Sequence, residues 1–299
     1  MQKTEAQRPD EKPMEPVIRN LRFEIDETVP RYWHGGRRAV STFFDNLSVF
    51  FPVGERFFVK AVRAHQGFVK DETLANEVRA FTGQEGIHAR EHERYNEMLV
   101  RHGYPVEEME KRVEALLGGV QQRAPELSQL AVTCALEHFT ALLGQMLLGN
   151  PALLEGAHPA MAALWQWHAA EENEHRSVAF DVYLAAGGDY SRRAITMVAA
   201  TVIFWTKVIE QQVKMMRTNG IAGSLEEWRA LGRFLFVDPG GMGPLFKLYF
   251  EYFRRDFHPS DIDCTDLLET WRREFDASPV YARSTAAARR GSGSVTAAA

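Results

Sequence analysis

Cysteine is nearly missing from this sequence. Two residues in 299, Cys134 and Cys264, lie far apart in different helical patterns. That excludes a disulfide framework and a zinc ribbon, and it makes a reducing cytoplasm the expected compartment. Alternating polar and apolar runs, the mark of half-buried strands, are scarce. The net charge is only −5 and no basic stripe is present, so no nucleic-acid partner is expected. No secretory leader is evident. Residues 1–16 are polar, carry three prolines and read as a disordered arm. The most apolar run, Ala194 to Thr206, falls short of the ~20 residues that a bilayer requires. It reads as a buried core helix; the rival reading is a surface that docks on a membrane or takes up a greasy substrate. The low-complexity tail, 283–299, is expected to be disordered.

What remains is an ordinary globular composition, 45% hydrophobic and 25% charged. Its pattern is helical almost throughout a single domain expected over 17–282. The first helical stretch runs from Val40 to Gln66, with Pro52 expected to kink or restart it. Lys70 to His102 is the second, stopped by Gly103 and Pro105. Val106 to Gly118 reads as a charged crossover helix. Pro125 opens a strongly apolar helix that ends near Gly149. His158 to Ala186 and Ser191 to Asn219 follow, each stopped by glycine. Accessory helices complete the chain at Ser224–Phe236, Pro244–Phe257 and Asp263–Phe275. The bundle occupies about 37–186 and the accessory helices about 191–276.

Glu137 is the only acidic residue in the apolar run Leu130–Leu148. A helix apolar on nearly every face is buried, and a buried carboxylate needs a partner. The same run holds no Lys or Arg, so the partner is a metal or an arginine from another helix. Glu85 with His88, and Glu172 with His175, each form Glu-x-x-His. Residues three apart on a helix sit about 60° apart around the axis, so both side chains can reach one metal. Glu55 lies in the aromatic setting FFPVGERFF. Along the chain the elements therefore read Glu, Glu-x-x-His, Glu, Glu-x-x-His. The gaps from 55 to 85 and from 137 to 172 suit short-turn helix pairs. The longer gap from 85 to 137 leaves room for a crossover.

This ordered set resembles the ferritin-like di-iron carboxylate superfamily over Glu55 to His175. The resemblance implies an all-α, ferritin-like four-helix bundle with a crossover connection and additional C-terminal helices. The segments EGIHAREH, WHAAEENEHRSVAFD and FRRDFHPSD also resemble a bacterial family of predicted metal-dependent hydrolases. His168 extends one motif to His-x-x-x-Glu-x-x-His, which is similar to the third-histidine pattern of arylamine N-oxygenases. His92 mirrors it one turn past His88. The expected ligand set is Glu55, Glu85 and His88 on one metal, and Glu137, Glu172 and His175 on the other. His168 joins the second metal as a seventh ligand, His92 is a further candidate, and two glutamates bridge. Two Fe ions are the expected cofactor, with Mn or mixed Mn/Fe as alternatives, and Zn for a hydrolase.

The carboxylate-rich metal set points to a non-haem di-iron, O2-activating oxygenase or oxidase, and the aromatic setting around Glu55 points to a small, fairly apolar substrate. Its partners would be O2 and an electron-donor protein or reductant. The alternative is a dimetal-dependent hydrolase on the same residues. A homodimer and membrane-surface association are secondary expectations. His92 occupies the place of the radical-storing tyrosine of ribonucleotide reductase small subunits, and Tyr95 is further off, which argues against that role. The segment His88-Ala-Arg-Glu91-His92 also matches the inverted zinc-peptidase motif, His-x-x-Glu-His. That reading leaves Glu55, Glu137 and the second Glu-x-x-His unexplained. His65, His102, His138 and His158 point elsewhere, and His258 reads as a loop anchor. Trp165, Phe81 and Phe139 are candidates to line a pocket.

Overall fold

A computed structural model describes residues 15–285. The arm and tail expected at 1–16 and 283–299 lie almost wholly outside the described residues. Ten α-helices follow one another: Arg38–His65 (α1), Glu72–Arg101 (α2), Val106–Arg123 (α3), Glu126–Gly149 (α4), Pro159–His175 (α5), Val178–Ala185 (α6), Tyr190–Thr218 (α7), Leu225–Phe236 (α8), Met242–Glu251 (α9) and Thr265–Asp276 (α10). Among the described residues there is no sheet, only an isolated bridge between His34 and Ala157. Local chemistry sets the ends. Asp71, Asp189 and Ser224 accept hydrogen bonds from the backbone N–H groups of Leu74, Arg192 and Glu227, which caps α2, α7 and α8. Gly103 takes φ 81° past the end of α2, where a side chain would be strained.

Two hairpins, α1 with α2 and α4 with α5, build the bundle, and α3 crosses between them and packs on α1. The hairpins bring the metal-candidate residues to one level. Glu55 lies 10 residues before the end of α1 and Glu85 lies 13 after the start of α2. Glu137 lies 12 before the end of α4 and Glu172 lies 13 after the start of α5. At ~1.5 Å per residue, each sits about 15–20 Å from its turn.

Four expectations need correction. First, α1 runs unbroken through Pro52. Proline leaves the carbonyl four residues earlier, at Ser48, without its helical donor. Asn96 of α2 supplies a replacement, with Nδ2 3.4 Å from that carbonyl. Second, the helix expected over 158–186 is interrupted at Arg176 and Ser177, directly after His175, giving α5 and α6. Third, the bounds move: α3 continues to Arg123 and α9 stops at Glu251. Fourth, the apolar run 194–206 is not a core helix. It is part of α7, where Ile195 is 71% and Val202 64% exposed. By length and composition, α4 and α7 are both long and apolar enough to cross a membrane; most of the apolar window of α4 is buried, and little of that of α7 is.

Residues 17–33 are not helical. Leu21, Phe23 and Ile25 point inward at every second position, as an extended segment requires. Carboxylates of the bundle hold this strap: Glu174 accepts from the Val17 N–H and Glu91 from the Phe23 N–H. At its end, Trp33 Nε1 donates to Asp45 Oδ1 at 2.8 Å, and the Tyr95 hydroxyl donates to the same oxygen at 2.7 Å. Asp45 Oδ2 has no partner.

Burial pushes the Asp45 carboxyl up to about 7. Its stabilising contribution is therefore complete below the unfolded-state value and is lost as pH rises through about 7. Asp45→Asn keeps an acceptor oxygen and removes the titration. Between pH 5 and pH 8 the wild type should lose roughly 2–3 kcal/mol more stability than the variant. Parallel pH profiles in urea unfolding would contradict this.

Candidate metal centre

The bundle brings seven of the sequence candidates together. Glu55 comes from α1, Glu85 and His88 from α2, Glu137 from α4, and His168, Glu172 and His175 from α5. None is more than 3% exposed. His175 Nε2 lies 3.1 Å from Glu85, 3.4 Å from Glu137 and 3.5 Å from Glu172. His88 Nδ1 lies 3.7 Å from Glu172 and 3.9 Å from Glu85. His168 Nε2 lies 2.8 Å from Glu172 and 3.7 Å from Glu55. Ligands at right angles on bonds of ~2.1 Å stand roughly 3 Å apart, so these spacings suit donors that share a metal.

The donor atoms lack protein partners. Both oxygens of Glu55, Glu85 and Glu137 form no hydrogen bond, and neither do Glu172 Oε2, His88 Nδ1 and His175 Nε2. Buried polar atoms are rarely left so. A cation at this spot would satisfy them together, so the residues fit a metal.

Each imidazole is prepared for that role by what its other nitrogen touches. His88 Nε2 lies 3.0 Å from Glu171. A carboxylate accepts, so this nitrogen carries the proton and Nδ1 faces the cluster with a lone pair. His175 Nδ1 lies 2.9 Å from Gln84 Oε1. Gln84 Nε2 donates to Glu174 and to the Val17 carbonyl, which fixes the amide so that its oxygen meets the histidine. His175 Nε2 is therefore the free donor. The third chain is longer. Asn96 Nδ2 donates to Glu110, so Asn96 Oδ1 accepts from Ser48, and the Ser48 oxygen accepts from His92 Nδ1. His92 Nε2, 2.6 Å from His168 Nδ1, then accepts from it. His168 Nε2 is left facing the cluster, 2.8 Å from Glu172 Oε1, a contact that takes one shared proton where no metal stands.

Two details of the expected ligand set change. His168 sits with Glu55 and His88, not with the Glu137–His175 group. The candidate donor groups are Glu55–His88–His168, Glu85–Glu137–His175 and Glu85–His88–Glu172. Glu85 and Glu172 thus stand between the two ends, as bridging residues would. His92 belongs to none of these groups; it stands behind His168 and orients it. Sequence spacing placed both histidines on the inward arc but could not separate a ligand from its support.

Electrostatics agree with a cation site. Burial and the repulsion of neighbouring carboxylates hold Glu55 and Glu85 well above the usual range, and burial pushes Glu137 up to about 7. Burial would also raise Glu172, but the contact with His168 and the nearby His175 imidazole outweigh it and hold it low. Burial would lower His175, but Glu137, Glu172 and Glu85 outweigh it and draw a proton to it. The proton takes the place where positive charge is required.

Glu91, the base of the zinc-peptidase reading, faces away. It accepts from the strap at Phe23 and from Arg90 and Arg94. His258 does anchor a loop: it caps the short turn Pro259–Asp261, and its Nε2 lies 2.8 Å from Asp181. His65 contacts the Ala61 carbonyl, and His138 packs on Tyr252. Trp165 shares a small cavity with His168, and Phe81 lies edge-on to His175. The supporting residues were missed. Arg19 on the strap pairs with Glu171 and Glu174, and Arg272 of α10 also reaches Glu174. The alternation in Leu21-Arg22-Phe23-Glu24-Ile25 was the available signal for the strap.

The chain matches, over residues 17–263, the family described as predicted metal-dependent hydrolases. It belongs to that family. No curated protein and no solved structure matches it. The matched span runs from the start of the strap through every candidate ligand to the His258 loop; α10, with Arg272, lies beyond it.

Removing a support should weaken the metal without removing a ligand. Glu171→Ala and Gln84→Ala should each lower metal affinity about 10–100-fold in a chelator competition. Glu91→Ala should lower thermal stability and leave affinity unchanged. Equal metal loss in all three would contradict the assignment.

Proposed function

We propose that the chain is a dinuclear metal-dependent hydrolase. Glu55, His88 and His168 would hold one metal, Glu137 and His175 the other, and Glu85 and Glu172 would bridge. The observation that carries this reading is the set of buried Glu and His atoms aimed at one another without hydrogen bonds. All are oxygen or imidazole donors, which suits Fe, Mn or Zn; Cys134 Sγ instead contacts the Ala179 carbonyl. Two such metals supply Lewis acidity and an activated water at neutral pH.

The residues around the site divide the remaining work. An open cavity of about 450 Å3 has Glu55 and Glu85 in its wall and Arg56, Lys60 and Arg63 at its rim. It gives water and a polar or anionic group a route to this face. Glu171, Gln84 and His92 keep the three imidazoles in their metal-binding tautomers.

A second reading, a di-iron oxygenase or oxidase, rests on a different observation. On the face of His168 and Glu172 lies a small cavity of about 60 Å3 walled by Leu47, Phe51 and Leu143. Such a dry pocket suits O2 and an apolar substrate, with electrons from a reductant or donor protein.

Metal analysis of the protein purified from cells separates the readings. Two metals per chain are expected, with Glu137→Ala losing at least one. As a hydrolase, the protein should cleave ester or amide substrates anaerobically with Zn or Mn and ignore reductant. O2 consumption by the reduced Fe(II) form, with no hydrolysis, would replace the first reading by the second. Full metal retention in Glu137→Ala would overturn both.

A further inference from the structure

The metal cluster does not explain a large apolar cavity of about 520 Å3 between α4, α7, α8 and α9. That is within the range of small-molecule sites. No charged side chain lines it; its polar groups are those of Thr201, Gln212, Tyr249 and the indoles of Trp205 and Trp228, and the Tyr249 hydroxyl is bonded to Thr201. Its mouth carries Ile209, Phe236, Phe246 and Phe250, all more than half exposed. Large side chains left in water together at a cavity mouth mark a place where something apolar enters. At its inner end the cavity shares Phe43, Leu143 and Leu235 with the small cavity that touches His168 and Glu172. These shared side chains set the two cavities next to each other between the surface and the candidate metals.

Gly232 of α8 lines this cavity, and a Cβ built there would meet nothing within 4 Å. Glycine inside a helix is unfavourable relative to alanine, so its use in this wall is consistent with keeping the cavity open. Its backbone is not in the left-handed region, so any side chain can be built there without strain.

We infer that the α7–α8–α9 cavity binds a single aliphatic chain and directs its polar end through the small cavity toward His168 and Glu172. The ligand class is an amphiphile with one long hydrocarbon tail. The chain binding stands on the cavity itself; only the polar-end assignment rests on the dinuclear reading above. A second apolar cavity, about 360 Å3, lies on the other side of α7 and shares Leu47, Phe51, Thr140 and Leu143 with the small cavity. It is the competing location.

Bromine quenches tryptophan on contact, and the tryptophans are well placed. Trp205 and Trp228 line the large cavity, and Trp165 lines the small one. The full chain, as purified, is titrated with a long-chain fatty acid brominated near its methyl end and with one brominated at carbon 2. Saturable quenching is expected from both. Trp205→Phe with Trp228→Phe should remove most quenching by the first, and Trp165→Phe most quenching by the second. Gly232→Trp, and the milder Gly232→Leu, should weaken binding at least about tenfold with helical circular dichroism unchanged; Ala199→Trp, which fills the competing cavity, should not. No saturable quenching overturns the inference. So does loss of binding in Ala199→Trp with none in the Gly232 variants, and a reversed pattern between the two probes overturns the orientation. Binding is read from tryptophan quenching and not from metal content, so failure here is distinct from failure of metal loading in Glu137→Ala.

Discussion

Glu55, Glu85, Glu137 and Glu172 meet in a place that water barely reaches. Four ionised carboxylates there would repel one another in a medium that screens poorly. Isolated burial of even one is costly enough that the group normally takes up a proton. Two divalent cations would cancel four negative charges, and they would also engage the cluster-facing nitrogens of His88, His168 and His175. The rest of the molecule is arranged around that requirement. Short turns in two hairpins bring the four helices to one level, and α3 makes the crossover that lets the hairpins face each other. Carboxylates that are not in the cluster are given arginines: Glu171 and Glu174 meet Arg19, and Glu91 meets Arg90 and Arg94. The contrast is informative, because the bundle supplies guanidinium to its supporting acids and none to the central four.

The support is as ordered as the ligands. The strap over 17–33 gives Arg19 to the back of α5 and takes backbone hydrogen bonds from Glu174 and Glu91. Through Glu171 it touches His88, and through Gln84 it borders His175. On the other side, the route from His168 runs through His92, Ser48 and Asn96 to Glu110. Pro52 belongs to the same local arrangement. It frees the Ser48 carbonyl, which Asn96 then engages, so one asparagine both repairs the helix and orients the relay. The metal-binding tautomers are thus built from parts of the chain that never touch a metal.

Much of this was legible in the sequence, for physical reasons. Glu137 is conspicuous because an acid in an otherwise apolar helix has to be neutralised. The two Glu-x-x-His pairs are legible because helical spacing puts both donors on one face. Helix ends were legible at Gly103 and Ser224 because capping and glycine stops are local. What escaped depends on tertiary placement. No spacing rule says that His168 sits beside Glu55, because that depends on how α5 packs against α1. Pro52 should break a helix unless another chain segment supplies a donor, and Asn96 is distant in sequence. The apolar run in α7 looked like core because composition reports greasiness but not which neighbours cover it. The Leu21–Phe23–Ile25 alternation was readable as an extended segment, although helical patterns dominate around it.

The account stands on where metal binds. Anomalous diffraction at the absorption edge of the native metal, from crystals of the full chain, locates it without any assay of activity. Two peaks about 3.5–4 Å apart are expected. One should lie against Glu55, His88 and His168, the other against Glu137 and His175, with Glu85 and Glu172 between them. A single peak near His88 and His92, or no peak among the four glutamates, would contradict the account.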